Sequence, residues 1–125
     1  MWLNKKELSK WAYNYCREIK DDPEVRKYIT ESYLAYLYCR YVKDDSKVRK
    51  YITDSQWAYW YCKYIKDTLE MRKNIIDDSW VYAYCIYIYI KDDPEVRKNI
   101  TDSTWAYMYC LHIKDRPEVR KYIED

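Results

Sequence analysis

The sequence predicts an all-α protein, an α-solenoid (superhelix) of five helix-turn-helix repeats of about 23 residues. Three observations predict it. Cysteine recurs at Cys16, Cys39, Cys62, Cys85 and Cys110, in steps of 23, 23, 23 and 25 residues. Apolar residues around each cysteine fall at helical spacing. The chain holds no glycine, so turns that need a positive φ are disfavoured and helix–helix corners suit it better than hairpins. A length of 125 residues fits one domain, residues 1–125. Its repeats span approximately 9–31, 32–54, 55–77, 78–102 and 103–125. Residues 1–8, with Trp2, Leu3 and Leu8, are expected to form an N-terminal cap.

The clearest copy runs from Ser55 to Asp77, SQWAYWYCKYIKDTLEMRKNIID. Its first helix, helix A, is expected to open at Ser55, and the others at Ser9, Ser32, Asp78 and Ser103, side chains able to cap an N-terminus. With Trp57 as position 0, recurrent apolar residues stand at 0, 1, 4, 5 and 8. Here they are Trp57, Ala58, Tyr61, Cys62 and Ile65, one helical stripe. Helix B follows a Lys-Asp-Asp corner. Asp22-Pro23-Glu24 is a start signal: Asp accepts free N–H groups, Pro fits the first turn and Glu complements the dipole. Val25 and Ile29 then face inward, a pair that returns as Val48/Ile52, Met71/Ile75, Val96/Ile100 and Val119/Ile123. Helices of roughly 8–12 residues are expected, too short to be stable without stacking. The fourth copy adds two residues within Ile86-Tyr87-Ile88-Tyr89-Ile90. A longer or distorted helix A is expected there, because a lone strand would have nothing to pair with.

Composition narrows the function classes. Twenty-three basic and 21 acidic residues leave a formal charge of +2, without the strongly basic balance of a dedicated nucleic-acid binder. No apolar run approaches the roughly 20 residues that span a bilayer, and MWLNKKELSK lacks the apolar core of a signal peptide, so a cytoplasmic location is expected. Five cysteines at one repeat position do not read as disulfides. Stacked helices lie about 8–10 Å apart, whereas a disulfide needs Cα atoms within roughly 7 Å. There is no CxxC pair and one histidine, His112, so neither metal nor cofactor is expected. No nucleophile–base–acid set is present, and the chain does not read as an enzyme.

DDPEVRKYI resembles the second-helix segment of HEAT-type and leucine-rich-variant repeats. WAYNYC and WAYMYC, followed by IKD and PEVRKYI, more closely resemble the tandem WAYxYA repeats of phage and bacterial proteins, with Cys in place of Ala. The likeness covers essentially the whole chain, and repeat motifs specify architecture better than activity. In HEAT-type arrays an Asp and an Arg column form ladders between neighbouring repeats. The resemblance implies the same for Asp21, Asp44, Asp67, Asp92 and Asp115 with Arg26, Arg49, Arg72, Arg97 and Arg120. The alternative is that the Arg column binds phosphate or carboxylate. The iron–sulfur segment of some leucine-rich-variant proteins is not implied, because no cysteine cluster precedes the array. The likeness also implies a phage-encoded inhibitor of a bacterial defence or host protein, acting in the cytoplasm of a bacterium or of a phage-infected bacterium.

Columns that vary mark candidate surface. Tyr13, Tyr36, Tyr59, Tyr82 and Tyr107 recur on the flank of helix A, to pack on the next copy or, alternatively, to stack on bases. Positions 3 and 6 lie opposite the core stripe and position 7 on its edge. They hold Asn14, Arg17 and Glu18 in the first copy; Leu37, Arg40 and Tyr41 in the second; Trp60, Lys63 and Tyr64 in the third. The fourth has Ala83, Ile86 and Tyr87, and the fifth Met108, Leu111 and His112. This face turns apolar from the second copy onward, as interaction surfaces do. The leading expectation is a protein-binding module anchored by Tyr41, Trp60, Tyr64, Ile86, Tyr87, Met108 and Leu111. Self-assembly through this face or the C-terminal copy, and nucleic-acid binding through the Arg/Lys and Tyr columns, are the alternatives.

Overall fold

The computed structural model describes residues 3–87 and 92–123. Every element among them is helical, and long helices alternate with single turns. The long helices are α1 (Lys5–Glu18), α3 (Ser32–Tyr41), α5 (Ser55–Tyr64), α7 (Asp78–Tyr87) and α9 (Ser103–His112). Between and after them come α2 (Pro23–Arg26), α4 (Ser46–Arg49), α6 (Leu69–Arg72), α8 (Pro94–Arg97) and α10 (Pro117–Arg120). Each long helix packs on the next long one, and each short helix on the long helix before it. Among the described residues no helix is long and apolar enough to cross a membrane, and no group of His, Cys, Asp and Glu gathers as a metal site.

Small residues set the approach of the long helices. Ala12, Ala35, Ala58, Val81 and Ala106 have no exposed surface, and Cys16, Cys39, Cys62 and Cys85 beside them are buried. Tyr38, Tyr61, Tyr84 and Tyr109 at position 4 are also sealed. Ile29, Ile52, Ile75 and Ile100 close the core from the side of the short helices.

Several expectations need correction. The second helix of each copy is four residues long, not 8–12. It tightens at once into bonds from the third residue on, such as Tyr28 N–H to Val25 O at 3.1 Å and Ile29 N–H to Arg26 O at 3.0 Å, the geometry of a 3₁₀ turn. Position 8 lies at the margin of the core: Val42, Ile65 and Ile113 are half-buried against it, and Ile19 is exposed. Each of these four is the C-cap, because the helix ends one residue earlier. Position 0 is core in the second copy, where Leu34 is buried, and a partial contact elsewhere: Trp57, Trp80 and Trp105 are half-buried against the core and Trp11 is exposed. Tyr13, Tyr36, Tyr59 and Tyr82 on the flank are buried, as packing on the next copy requires. The Tyr36 ring lies 5.4 Å from Trp57, Tyr59 5.3 Å from Trp80 and Tyr82 5.4 Å from Trp105. A tyrosine of one copy thus covers a tryptophan of the next.

The serines at the copy starts are not the caps of their own helices. Asp54 and Asp102 occupy those positions before Ser55 and Ser103, and Glu31 before Ser32. Ser9, Ser32 and Ser55 are buried instead, and each Oγ accepts two backbone N–H groups from the chain entering the following long helix. Ser9 takes Thr30 and Glu31 at 3.1 and 3.2 Å; Ser32 takes Thr53 and Asp54 at 3.1 Å each; Ser55 takes Ile76 and Asp77 at 2.9 and 3.0 Å. Asp78 does the same for Thr101 and Asp102 with its carboxylate. The serine fastens one copy to the next.

At the start, Lys5–Leu8 form the first turn of α1 rather than a separate cap. Asn4 accepts from Glu7 N–H at 2.8 Å while its amide donates to the Glu7 carboxylate at 3.0 Å. Leu3 is exposed and Leu8 half-buried; Trp2 lies outside the described residues. So do Ile88, Tyr89 and Ile90, where the two-residue insertion was placed.

All five cysteines are free thiols. Burial, foremost, pushes Cys39, Cys62 and Cys85 up to about 12, which leaves almost no thiolate at neutral pH. A thiol reagent at pH 8 is expected to leave these three untouched in the native chain and to label all five in denaturant. Fast native labelling of Cys62 would contradict the packing.

Candidate interaction surface

Two sides of the helix layers carry chemistry. On the side of the short helices, Asp21 pairs with Arg26 at 3.2 Å within the same copy. The Tyr38 hydroxyl of the following copy donates to Asp21 at 2.7 Å and accepts from Arg26 at 3.2 Å. The arrangement recurs: Asp44 with Arg49 at 2.9 Å beneath Tyr61, Asp67 with Arg72 at 3.8 Å beneath Tyr84, Asp92 with Arg97 at 3.0 Å beneath Tyr109. Each Arg also reaches an acid of the next short helix or its cap: Arg26 to Asp45, Arg49 to Glu70, Arg72 to Asp93 and Arg97 to Glu118, at 3.3–3.8 Å. Arg116 bridges back to Asp92 at 2.5 Å. Asp115 and Arg120 pair at 3.4 Å in the open, both more than half exposed.

The guanidiniums of Arg26, Arg49 and Arg72 are engaged by carboxylates on two sides and by a phenol, and that of Arg97 by two carboxylates. Burial, then the hydrogen bond to the carboxylate, pushes the Tyr38 and Tyr61 phenols well above their usual range, so they remain neutral donors. Arg49 Nε and Arg72 Nε are left without a hydrogen-bond partner among the described residues, but both are buried. The cluster therefore presents an incoming phosphate with guanidiniums already held by carboxylates rather than with an open site.

The opposite side, formed by the outer faces of α1, α3 and α5, is open. Arg17 donates to the Tyr13 hydroxyl at 3.1 Å and Arg40 to Tyr36 at 3.0 Å, one turn apart on the same helix. The Arg17 guanidinium lies 5.2 Å from the Tyr41 ring of the next helix, and Arg40 5.1 Å from that same ring. Arg40 also lies 4.4 Å from the Tyr64 ring of α5, and Lys63 5.4 Å from it. Tyr64 stacks on Trp60 at 5.4 Å, rings 11° apart. Cations and rings therefore alternate across three helices. Such contacts are worth about 0.5–1 kcal/mol each where exposed.

Two adjoining grooves run beside this row. One, of 460 Å³, is lined by Lys6, Lys10, Arg17, Tyr33, Leu34 and Leu37 among others. The second, of 480 Å³, is lined by Tyr33, Leu37, Arg40, Trp57, Trp60 and Tyr64 among others. Tyr33 and Leu37 form the shared wall.

Of the seven expected anchors, Tyr41, Trp60 and Tyr64 come together here through Arg40 and Lys63. Tyr41 is 52 % and Tyr64 48 % exposed, and Trp60 is half-buried. Ile86, Tyr87, Met108 and Leu111 lie farther along, on α7 and α9. Ile86 and Met108 are half-buried, whereas Tyr87 and Leu111 are 67 % and 59 % exposed. His112 approaches Tyr82 edge-on, with ring centroids 6.5 Å apart.

Sequence reasoning put Arg17, Leu37, Arg40 and Lys63 in the variable outer columns but not among the anchors, and it did not place Tyr33 on this face at all. A signal was present: position 6 lies four residues after the buried Tyr of position 2, and position 7 of the next copy faces it. Reading columns one at a time hid that pairing across copies. No protein-family model matches the chain, and neither a curated protein nor a solved structure is detectably similar to it.

Proposed function

We propose that the chain is a five-copy α-solenoid without enzymatic chemistry that binds another polypeptide through the outer face of its long helices. The solenoid reading is supported by contacts that link each long helix to the next and by serine and tyrosine bonds that recur once per copy. The observation that carries the binding reading is the open row of Arg17, Tyr41, Arg40, Tyr64, Lys63 and Trp60 beside the two grooves. Aromatic and arginine side chains held in one conformation lose little entropy on binding and make strong anchors. A polypeptide is favoured over nucleic acid because cations already lie against the tyrosine rings that bases would need for stacking. An inhibitor of a host or defence protein, implied by the repeat resemblance, is the concrete form of this reading.

The test is selection from a random peptide library on the immobilised chain. Selected peptides are expected to lose about tenfold or more in affinity for Trp60→Ala, a step of roughly 1.4 kcal/mol, with helicity retained. Peptides that bind Trp60→Ala as tightly as the parent chain would contradict the face.

A second reading, self-association, is favoured by Trp11 and Tyr107. Trp11 is 46 % and Tyr107 54 % exposed, whereas Tyr36, Tyr59 and Tyr82 close on Trp57, Trp80 and Trp105.

A further inference from the structure

The geometry points to one class of occupant for this face: an extended acidic peptide whose carboxylates, three residues apart, follow Arg17, Arg40 and Lys63. The inference rests on the docking reading and deepens it by naming the chemistry of the partner.

Charge is the first argument. Lys6, Lys10, Arg17 and Arg40 line the two grooves, no carboxylate does, and Lys63 stands at their edge on Trp60 and Tyr64. None of these five cations lies within ion-pair distance of a carboxylate among the described residues; the contacts of Arg17, Arg40 and Lys63 are with tyrosine hydroxyls and aromatic rings. The acidic residues are used elsewhere. Asp21, Asp44, Asp67 and Asp92 pair with arginines on the opposite side, and Asp22, Asp45 and Asp93 cap the short helices. Glu18 borders a separate hollow with Trp11 and Ile19. The grooves are therefore bordered by a cationic strip with no carboxylate at ion-pair distance among the described residues.

Spacing is the second argument. Arg17 and Arg40 flank the Tyr41 ring from 5.2 and 5.1 Å, so their separation cannot exceed the sum of those distances. Helices in contact lie about 8–10 Å apart. A polyproline II chain places every third side chain on one face, about 9 Å apart. Glutamates at i, i+3 and i+6 of such a chain match successive helices, while the residues between them meet Leu37, Trp57 and Trp60. Carboxylates suit guanidiniums held in place, because little side-chain entropy remains to be lost.

The experiment uses the full chain and a fluorescein-labelled (Glu-Pro-Pro)3 peptide, with (Gln-Pro-Pro)3 and a nine-nucleotide oligo(dT) as comparators, read by anisotropy. The acidic peptide is expected to bind at least about tenfold more tightly than either comparator. Its affinity should fall between about 50 and 300 mM salt. Arg40→Glu and, separately, Lys63→Glu should each weaken it about tenfold or more, with helicity retained and the melt lowered only by the cation–ring contacts and the Tyr36 bond that they remove. Absence of binding, equal binding of (Gln-Pro-Pro)3, tighter binding of oligo(dT), or wild-type affinity in both variants would overturn the inference. The docking reading is judged separately. Library peptides without carboxylates that still depend on Trp60 would overturn the acidic occupant alone, whereas peptides indifferent to Trp60→Ala would remove the face itself.

Discussion

Tyr61→Ala is expected to destabilise the chain by about 3–5 kcal/mol, as for other large buried aromatics. The ring is fully buried between α3 and α5 layers, so truncation leaves a cavity that neighbouring helices can only partly fill. Its hydroxyl donates to Asp44 at 2.8 Å and accepts from Arg49 at 3.3 Å, and alanine removes the phenol that ties this charged pair to the next copy. Two controls separate the contributions. Tyr61→Phe keeps the ring and loses the hydrogen bonds, an expected cost of about 1.5–3 kcal/mol for bonds to charged groups. Tyr15→Ala touches the same column where the residue is half-buried, and should cost distinctly less. A denaturant melt of the three variants checks the order; a Tyr61→Ala midpoint equal to that of the parent would contradict the packing. The effect should reach the whole transition, since each copy is stable only through its neighbours.

Ser55→Ala is expected to cost about 1–3 kcal/mol in all. The backbone donors of Ile76 and Asp77 lose a buried acceptor, but they lie close enough to the surface for water to replace part of it. The hydroxyl takes Ile76 N–H and Asp77 N–H and itself donates to the Asn74 carbonyl at 3.2 Å. One methyl-sized change thus unties three bonds between copies. Ser46→Ala, at an exposed position opening α4, should stay within about 0.5 kcal/mol. Amide exchange gives the sharper reading. In Ser55→Ala the amides of Ile76 and Asp77 should exchange faster. If Ser55 served only its own helix, the amides of Trp57 and Ala58 would accelerate instead.

These two residues also show how far the sequence can be read. Ala58, Tyr61 and Cys62 declare themselves, because a buried helical stripe repeats at 3.6 residues whatever covers it. Ser55 misleads: a serine before an apolar run has the look of a cap, and only the fold brings the chain 21 residues later against its hydroxyl. Tyr59 is legible as a flank residue that packs on the next copy, but how completely it is buried is not. A helix covered on two flanks and beneath buries more than one stripe, and the second flank belongs to a neighbouring copy. Ile65 errs in the other direction, since its spacing is right but the helix ends at Tyr64. The Asp and Arg columns are visible as recurring charges; the tyrosine that joins them across copies is not. On the outer face, Tyr41 and Trp60 stand out as aromatics among variable positions. Their partners Arg17 and Arg40 look like ordinary solvated surface until adjacent helices set one beside the other.

The central claim is that the outer face of the long helices is free to receive a partner. Light scattering on a size-exclusion column, over a roughly hundredfold range of concentration, tests it most directly. A constant mass near 15.7 kDa is predicted, with the aromatic–cation row open to solvent. A mass that rises with concentration and returns to that value in Tyr41→Ser or Tyr64→Ser would mean that copies of the chain cover this face themselves, and would contradict the account.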